Sequence, residues 1–386
     1  MRIRVFRLLS ILAVLLLVAA SCGDDDDSAG EADPTPTESS DTTPEPSPTA
    51  EATAEPSPTE VTETGPVWPL TGLPLDDEAR AERPALVVKI DNNPDALPQW
   101  GINQADIVVE ILVEGITRLA AVFHSDDADP VGPVRSGRTS DPDILANFGR
   151  PLLAWSGGNP TVMAVMAEAQ AQGLLIDIGA FTRNDSLYYR YPEREAPHNL
   201  LSSTPALYGQ APPDATPPPQ LFTYRTPGDP PGDPVDGVTV TFTSLHRADF
   251  VWDAERGVWL RWQNRAIHVD DQLVPAAPVN VVVIETPYGI SAADPTSPEA
   301  QSIGGGAAWV FSEGRLQRGR WVRGSVAETW QLIGDDGEPL TLVPGQTWIE
   351  LAPPGTTFTM DADTATALLD GLEAELEALQ PADDGE

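Results

Sequence analysis

Between residues 83 and 158, four short apolar runs, at 85–90, 107–113, 119–123 and 152–155, are separated by Gly, Pro, Asn and Asp. Short runs rich in Val, Ile and Leu and bounded by such residues predict buried strands. Polar side chains collect at and near their ends: Asp91, Asn92, Glu110, Glu114, Arg118, His124, Arg135, Ser136 and Arg138. Asp141 as N-cap and Pro142 as first helical residue predict a short helix that stops at Gly149. The run at 152–155 feeds the turn Ser156-Gly157-Gly158. Asn159 and Pro160 then open a helix through Gln172, closed by Gly173, and 174–178 reads as a further strand. This alternation predicts an α/β N-terminal domain with a mixed sheet over residues 67–210. Residues 181–203 read as a long ordered loop returning over the strand ends, with Tyr188, Tyr189 and Tyr191 to bury and His198-Asn199 near its end.

Residues 211–234, rich in Pro and Gly, read as an interdomain linker. From 235 the pattern becomes apolar/polar alternation, in VTVTF, DFVWDAERGVWLRW, NVVVIET, AAWVF and TWIEL. It predicts a β-rich domain over 235–386, an antiparallel meander or partly closed barrel. Seven of the ten tryptophans fall here, placed by the alternation among Val and Ile as core and edge anchors. Residues 361–380 read as a helix with Leu368, Leu369, Leu372, Leu376 and Leu379 on one side, capped by Asp361 or Asp363. The expected class is α+β / α/β.

Arg2, Arg4 and Arg7 precede the apolar run 8–20, which is too short to span a bilayer and suits a signal-peptide core over residues 1–21. Cys22 follows and is the only cysteine in the chain, so no intramolecular disulfide can form. Its position points to lipidation, although Ala19 stands where such sites usually carry Leu. Residues 23–66 hold thirteen acids, eight prolines and no base. Such a composition cannot bury enough apolar surface to order itself, so residues 22–66 read as a disordered tether. The expected location is the extracytoplasmic face of the cell membrane, with the lipid on Cys22 as the membrane contact.

The chain carries −37; without the tether's thirteen acids and the leader's three arginines, residues 67–386 retain −27. That charge excludes a nucleic-acid partner, which needs a basic stripe, and disfavours lying flat on anionic lipid. Lys89 is the only lysine, so almost every cation is an arginine, whose planar fork suits carboxylates and phosphates.

The polar residues allow three chemistries. A metal site from Asp91, Glu110, Glu114, His124 and His198 lacks any ligand spacing, and none is expected; no cofactor motif occurs either. A nucleophile at Ser136 or Ser156, with His124 or His198 as base, lacks a G-x-S-x-G elbow. The segment GPVRSGR is the best anion-binding candidate, with Arg135, Ser136 and Arg138 converging on an oxyanion and Gly157-Gly158 offering exposed N–H groups. Its bland alternative is that the arginines pair with Glu110, Glu114 or Asp141 to fasten loops. The full candidate set is Asp91, Asn92, Glu110, Glu114, Arg135, Ser136, Arg138, Ser156, Gly157, Gly158, His198 and Asn199.

Several segments also carry a family resemblance. RPALVVKIDN, ADIVVEILVEGITRLAAVFHS, VGPVRSGR, WSGGNP, APHNLLSS, VNVVVIETPYG, AAWVFSEGRLQRGRWVRG and LVPGQTWIEL occur in this order. Over residues 66–353 the chain resembles the YerB-like lipoproteins, a family of unknown function. The resemblance implies a two-domain lipoprotein anchored outside the cytoplasmic membrane and carries no activity with it. The expected role is an envelope binding or accessory module for an anionic cell-wall ligand or an envelope protein, with an envelope hydrolase as the alternative. If Cys22 carries the anchor, Cys22→Ser leaves an unlipidated precursor. Mass spectrometry finding an unmodified Cys22 in the mature native protein would refute it.

Overall fold

The apolar runs of residues 83–158 form strands because nearly every residue in them leaves water. The computed structural model describes residues 65–182 and 185–380. The leader at 1–21, Cys22 and the tether through residue 64 lie outside the described residues. Strands β1 (Leu86–Asp91), β2 (Ile107–Leu112), β3 (Thr117–Phe123), β4 (Leu152–Ala154) and β5 (Ile176–Asp177) lie in one sheet. β3 pairs antiparallel with both β1 and β2, whereas β4 runs parallel to β1 and β5. Helices α1 (Asp141–Leu145) and α2 (Pro160–Ala171) follow. Asn159 caps α2 through Thr161 N–H and Val162 N–H, as Pro160 behind an Asn predicts. The N-cap position of α1 falls on Ser140, one residue earlier than expected and without a side-chain cap bond, while the Asp141 carboxylate accepts from Lys89 Nζ and Arg138 N–H.

The C-terminal half supplies β6 (Gly237–Thr243), β7 (His246–Asp253), β8 (Val258–Gln263), β9 (Asn280–Glu285), β10 (Gly304–Ser312), β11 (Arg315–Arg323), β12 (Gln331–Gly334), β13 (Thr347–Ala352) and β14 (Thr357–Thr359). Together the halves make a two-domain α+β fold, closed by helix α3 (Ala362–Leu379). β6, β7 and β8 form the expected meander within a five-stranded antiparallel sheet.

One strand departs from the alternation reading. TWIEL looks half-exposed in sequence, yet β13 is buried throughout and lies between β9 and β2, parallel to each. It joins the two halves into one eleven-stranded sheet, ordered β12-β11-β10-β9-β13-β2-β3-β1-β4-β5, with Asp233–Pro234 pairing beside β11. Parallel strands are covered on both faces, so their residues need not alternate in polarity. One face, with Val108, Leu119, Val281 and Trp348, packs on Val238, Phe250 and Trp259 of the five-stranded sheet. The other, with Val109, Ala120, Val282 and Ile349, packs with Ile144, Phe148, Met166 and Trp330. Trp259, Trp262, Trp321, Trp330 and Trp348 are all buried, as core anchors should be.

Residues 211–234 are held against the body. Leu221 and Phe222 are buried, Thr223–Tyr224 pairs with Thr341–Leu342, and Tyr224 Oη donates to Leu70 O. Helix α3 covers the outer face of the five-stranded sheet, with Ala365 and Leu372 against Val251, Leu260 and Trp262. Asp361 caps it, whereas Leu379 at its last turn stays exposed. In the 181–203 loop Tyr188 is buried but Tyr189 is 50% exposed, so burial of all three tyrosines does not hold.

Because β13 bridges the halves, Ile349→Ala should cost about 2–5 kcal/mol, the usual range for emptying a packed aliphatic site. Near-ultraviolet circular dichroism should show one unfolding transition moved to lower temperature. Two separate transitions would mean the halves melt independently.

Candidate functional site

β2 places Glu110 in the middle of a fully covered strand, where a carboxylate must find partners or give up its charge. Its Oε2 accepts from Arg261 Nη2 at 2.6 Å. Oε1 receives Thr117 Oγ1 at 2.6 Å and His246 Nε2 at 2.8 Å. Burial alone would raise the Glu110 pKa; the Arg261 guanidinium and His246 outweigh it and hold the carboxyl well below its usual range. Arg261 also donates through Nη1 to Gln263 Oε1 and to His268 Nδ1, and lies over the Trp348 ring at 4.6 Å. Gln99 Oε1 accepts from His268 Nε2, which leaves Nδ1 as an acceptor and His268 neutral. Burial, and then the Arg261 charge, push the His268 pKa down in agreement. Gln99 Nε2 reaches Asn92 Oδ1, and Asn92 Nδ2 returns to Thr117 Oγ1. The network closes on itself between the two sheets.

A second cluster lies at the polar end of β1. Asp91 Oδ2 is 2.9 Å from Arg135 Nε and 2.7 Å from His198 Nδ1. Arg138 grips Glu114 with both arms, Nε to Oε1 at 2.7 Å and Nη2 to Oε2 at 2.6 Å. Its own N–H donates to Asp141 Oδ2, whose other oxygen holds Lys89 Nζ at 2.8 Å. Arg118 opposes Asp91 across the β1–β3 pair and is 6% exposed. Its Nη1 donates to Ser136 O, but its buried Nε has no partner among the described residues. Burial, then the charges of Arg138 and Arg135, push the Arg118 pKa down to about 10. Three guanidiniums therefore face two carboxylates, Asp91 and Glu114.

The structure divides the twelve candidates. Asp91, Arg135, Ser136 and His198 come together beside Arg118. Arg138 and Glu114 adjoin them as a closed ion pair, the loop-fastening role that was the alternative to ligand binding. Asn92 and Glu110 belong to the buried network. Asn199 clamps its loop by accepting from Arg190 Nη1 and donating to Tyr191 O and Arg194 O. Gly157 and Gly158 lie in the turn between β4 and α2. Gly157 O accepts from Gly137 N–H, Phe181 covers the Gly157 Cα, and the α2 N–H groups are satisfied by Asn159. Ser156 lines a separate cavity with Tyr188 and Leu200. His124 lies elsewhere, its Nε2 on Ala81 O, and burial lowers its pKa to about 4. Among the described residues no three His, Cys, Asp or Glu side chains are placed to hold a metal ion. Nothing in the sequence tied Arg261, His246, His268 or Glu350 to Glu110, since they lie more than 130 residues away from it along the chain.

The arrangement can be set beside known proteins. The model described as the N-terminal domain of protein of unknown function DUF3048 matches residues 70–216, and its C-terminal domain model matches 238–349. Together they cover more than half of the chain. The chain belongs to this family, that of the YerB-like lipoproteins. It is 29% identical over 310 residues to the Bacillus subtilis (strain 168) protein named "Putative lipoprotein YerB", covering 74% of this chain and 86% of that one. The crystal structure of YerB protein from Bacillus subtilis superposes with a TM-score of 0.66 at 25% identity, covering 76% of this chain and 99% of that one. No helix among the described residues is long and apolar enough to cross a membrane.

In this family member one buried acid stands out. Glu350 on β13 sits beside Glu110 in register, fully buried, and neither of its oxygens has a hydrogen-bond partner among the described residues. Burial, and then the Glu110 charge, raise its pKa well above the usual value, so it keeps its proton. In the unfolded chain it ionises near pH ~4.3. Its contribution to stability is therefore complete below that pH and is lost as pH rises towards the folded pKa. Glu350→Gln, which cannot ionise, should flatten the loss of stability as pH rises above the unfolded value, measured by urea titration. Parallel pH profiles for variant and wild type would show that Glu350 is ionised in the fold.

Proposed function

We propose that this protein is a lipid-anchored module of the extracytoplasmic membrane face that binds a small anionic ligand at Arg118, Arg135 and His198. The observation that carries the reading is Arg118. A buried guanidinium normally has a carboxylate bonded to it, whereas Arg118 is bonded to one backbone carbonyl, and the nearby Asp91 and Glu114 are already held by Arg135 and Arg138. Among the described residues neither Nη1 nor Nη2 of Arg135 has a hydrogen-bond partner. A carboxylate or phosphate would supply the charge the cluster lacks, and charge-assisted hydrogen bonds are the strong ones. Where residues 67–386 together carry −27, such a cluster is where an anion can approach. The lipid anchor at Cys22 draws support from the leader sequence and from the relative's name. The tether would let the module reach a cell-wall ligand or an envelope protein.

A hydrolytic reading draws on one contact. Asp91 Oδ2 lies 2.7 Å from His198 Nδ1, which orients an imidazole as a general base. Among the described residues no hydroxyl is hydrogen-bonded to His198 Nε2, so water rather than serine would be the nucleophile.

Arg118→Gln and Arg135→Gln should each weaken binding of phosphate or acetate about tenfold or more, since each removes a charge-assisted bond of roughly 1.5–3 kcal/mol. Arg138→Gln should change affinity far less, because its guanidinium is already spent on Glu114. Isothermal titration at low salt reads both. A wild-type chain that takes up neither anion, or variants that lose stability without losing affinity, would make these arginines structural clamps.

A further inference from the structure

Beside the arginine cluster lies a cavity of about 330 Å3 lined by Ser156, Phe181, Tyr188, Tyr189, Arg190 and Leu200. Two of its walls are aromatic rings left in water: Phe181 is 76% exposed and Tyr189 is 50% exposed. Large aromatic side chains usually supply buried area, so a pair left open around a cavity marks a recognition surface. The Phe181 ring and the Tyr189 backbone are held. Gly157 has φ +89, and a Cβ there would lie 2.4 Å from the Phe181 ring, so this ring is seated on bare backbone. Tyr189 is fixed through the pairing of its strand with Leu201, and Tyr188 behind it donates to Ile178 O at 2.8 Å. Walls already in place lose little freedom when a ligand arrives.

The cavity and the cluster share backbone. Ser156 N–H donates to Arg135 O at 3.0 Å, and Val134 N–H donates to Leu200 O at 2.6 Å. Arg190, an exposed residue, rims the cavity, with Nη1 donating to Asn199 Oδ1.

Resting on the anion-binding reading above, we infer that the ligand is an acidic saccharide. Its carboxylate or phosphate sits at Arg118 and Arg135, and one sugar ring lies between Phe181 and Tyr189. A pyranose has an apolar C–H face that fits a flat ring and an equatorial rim of hydroxyls. The Ser156 hydroxyl and Arg190 are the polar partners such a rim requires. An alkyl chain would leave Arg190 and Ser156 unused. A polyanion would meet the net charge of the whole fold.

Isothermal titration of the full-length chain in detergent tests this with N-acetylmuramic acid, glucuronic acid and glucose 1-phosphate as acidic sugars. N-acetylglucosamine serves as the neutral sugar, and lactate and inorganic phosphate as bare anions. At least one acidic sugar should bind tenfold or more tightly than its bare anion and than N-acetylglucosamine. Phe181→Leu, which still covers Gly157 but has no flat ring, and Tyr189→Ala should bring that sugar close to the bare anion's affinity. Both variants should leave lactate or phosphate binding unchanged, with melting temperatures confirming the fold. If the bare anions bind and Arg135→Gln weakens them, but no acidic sugar gains affinity or the two aromatic variants change nothing, the saccharide inference fails and anion binding stands. If neither acidic sugars nor bare anions bind, both readings fail.

Discussion

Glu110 and Arg261 sit fully buried 2.6 Å apart, one from each domain, and the architecture around them can be read from that contact. Desolvating two charges is costly, and their attraction offsets it only when the remaining donors and acceptors are also satisfied. Here Thr117, His246, Gln263, His268, Gln99 and Asn92 satisfy both Glu110 oxygens and Arg261 Nη1, drawn from residues 92–117 on one side and 246–268 on the other. Removing one partner would leave a buried charge, typically 3–5 kcal/mol of destabilisation. The network thus fixes the register of the five-stranded sheet on the eleven-stranded one, because apolar packing between two sheets would tolerate sliding where a closed set of hydrogen bonds does not. Glu350 adds a second acid at the same depth, and its retained proton keeps this layer from holding two negative charges against one guanidinium.

The choice of arginine over lysine has a structural basis. Much of its use is on backbone carbonyls at loop ends. Arg83 reaches His124 O and Asp126 O as well as Asp127, and Arg323 reaches Asp143 O, Val326 O and Glu328 O. A fork of five donors in a plane can satisfy several such acceptors at once, which an ammonium on a flexible stem does less well. The one lysine, Lys89, is used where a point charge suffices: its buried Nζ meets Asp141, and burial lowers its pKa against the pull of that carboxylate. Arg323 is buried without an acid but fills its fork with three carbonyls, whereas the buried Arg118 donates to one carbonyl and its Nε meets no acceptor among the described residues. The cluster around it is therefore read as unfinished rather than as another loop fastening.

What was legible in the sequence was local. β-Branched runs closed by Gly, Pro and Asn gave the strands of residues 83–158, Asn159-Pro160 gave the start of α2, and Asp361 gave the cap of α3. Hairpins such as that between β7 and β8 were legible because strand, turn and strand are contiguous. The gathering of Asp91, Arg135 and His198 was only a possibility in sequence, since each sits at the end of a different segment and no spacing rule joins them.

Tertiary structure decided the rest, for reasons of distance along the chain and of burial. Period-two alternation describes a strand with one wet face, so it misplaced β13, whose neighbours β2 and β9 cover it from both sides and come from opposite halves. The partner of Glu110 could not be read either: a buried carboxylate selects a cation by where sheets stack, and Arg261 is 151 residues away. The same holds for the two exposed aromatics, because Phe181 finds its seat on Gly157 only once the turn after β4 is folded. The sequence by itself determined most strands, the caps of α2 and α3 and the acidity of the chain. Which charges meet, and which remain unmet, depended on the three-dimensional packing, since electrostatic pairing follows separation in space and local propensity does not.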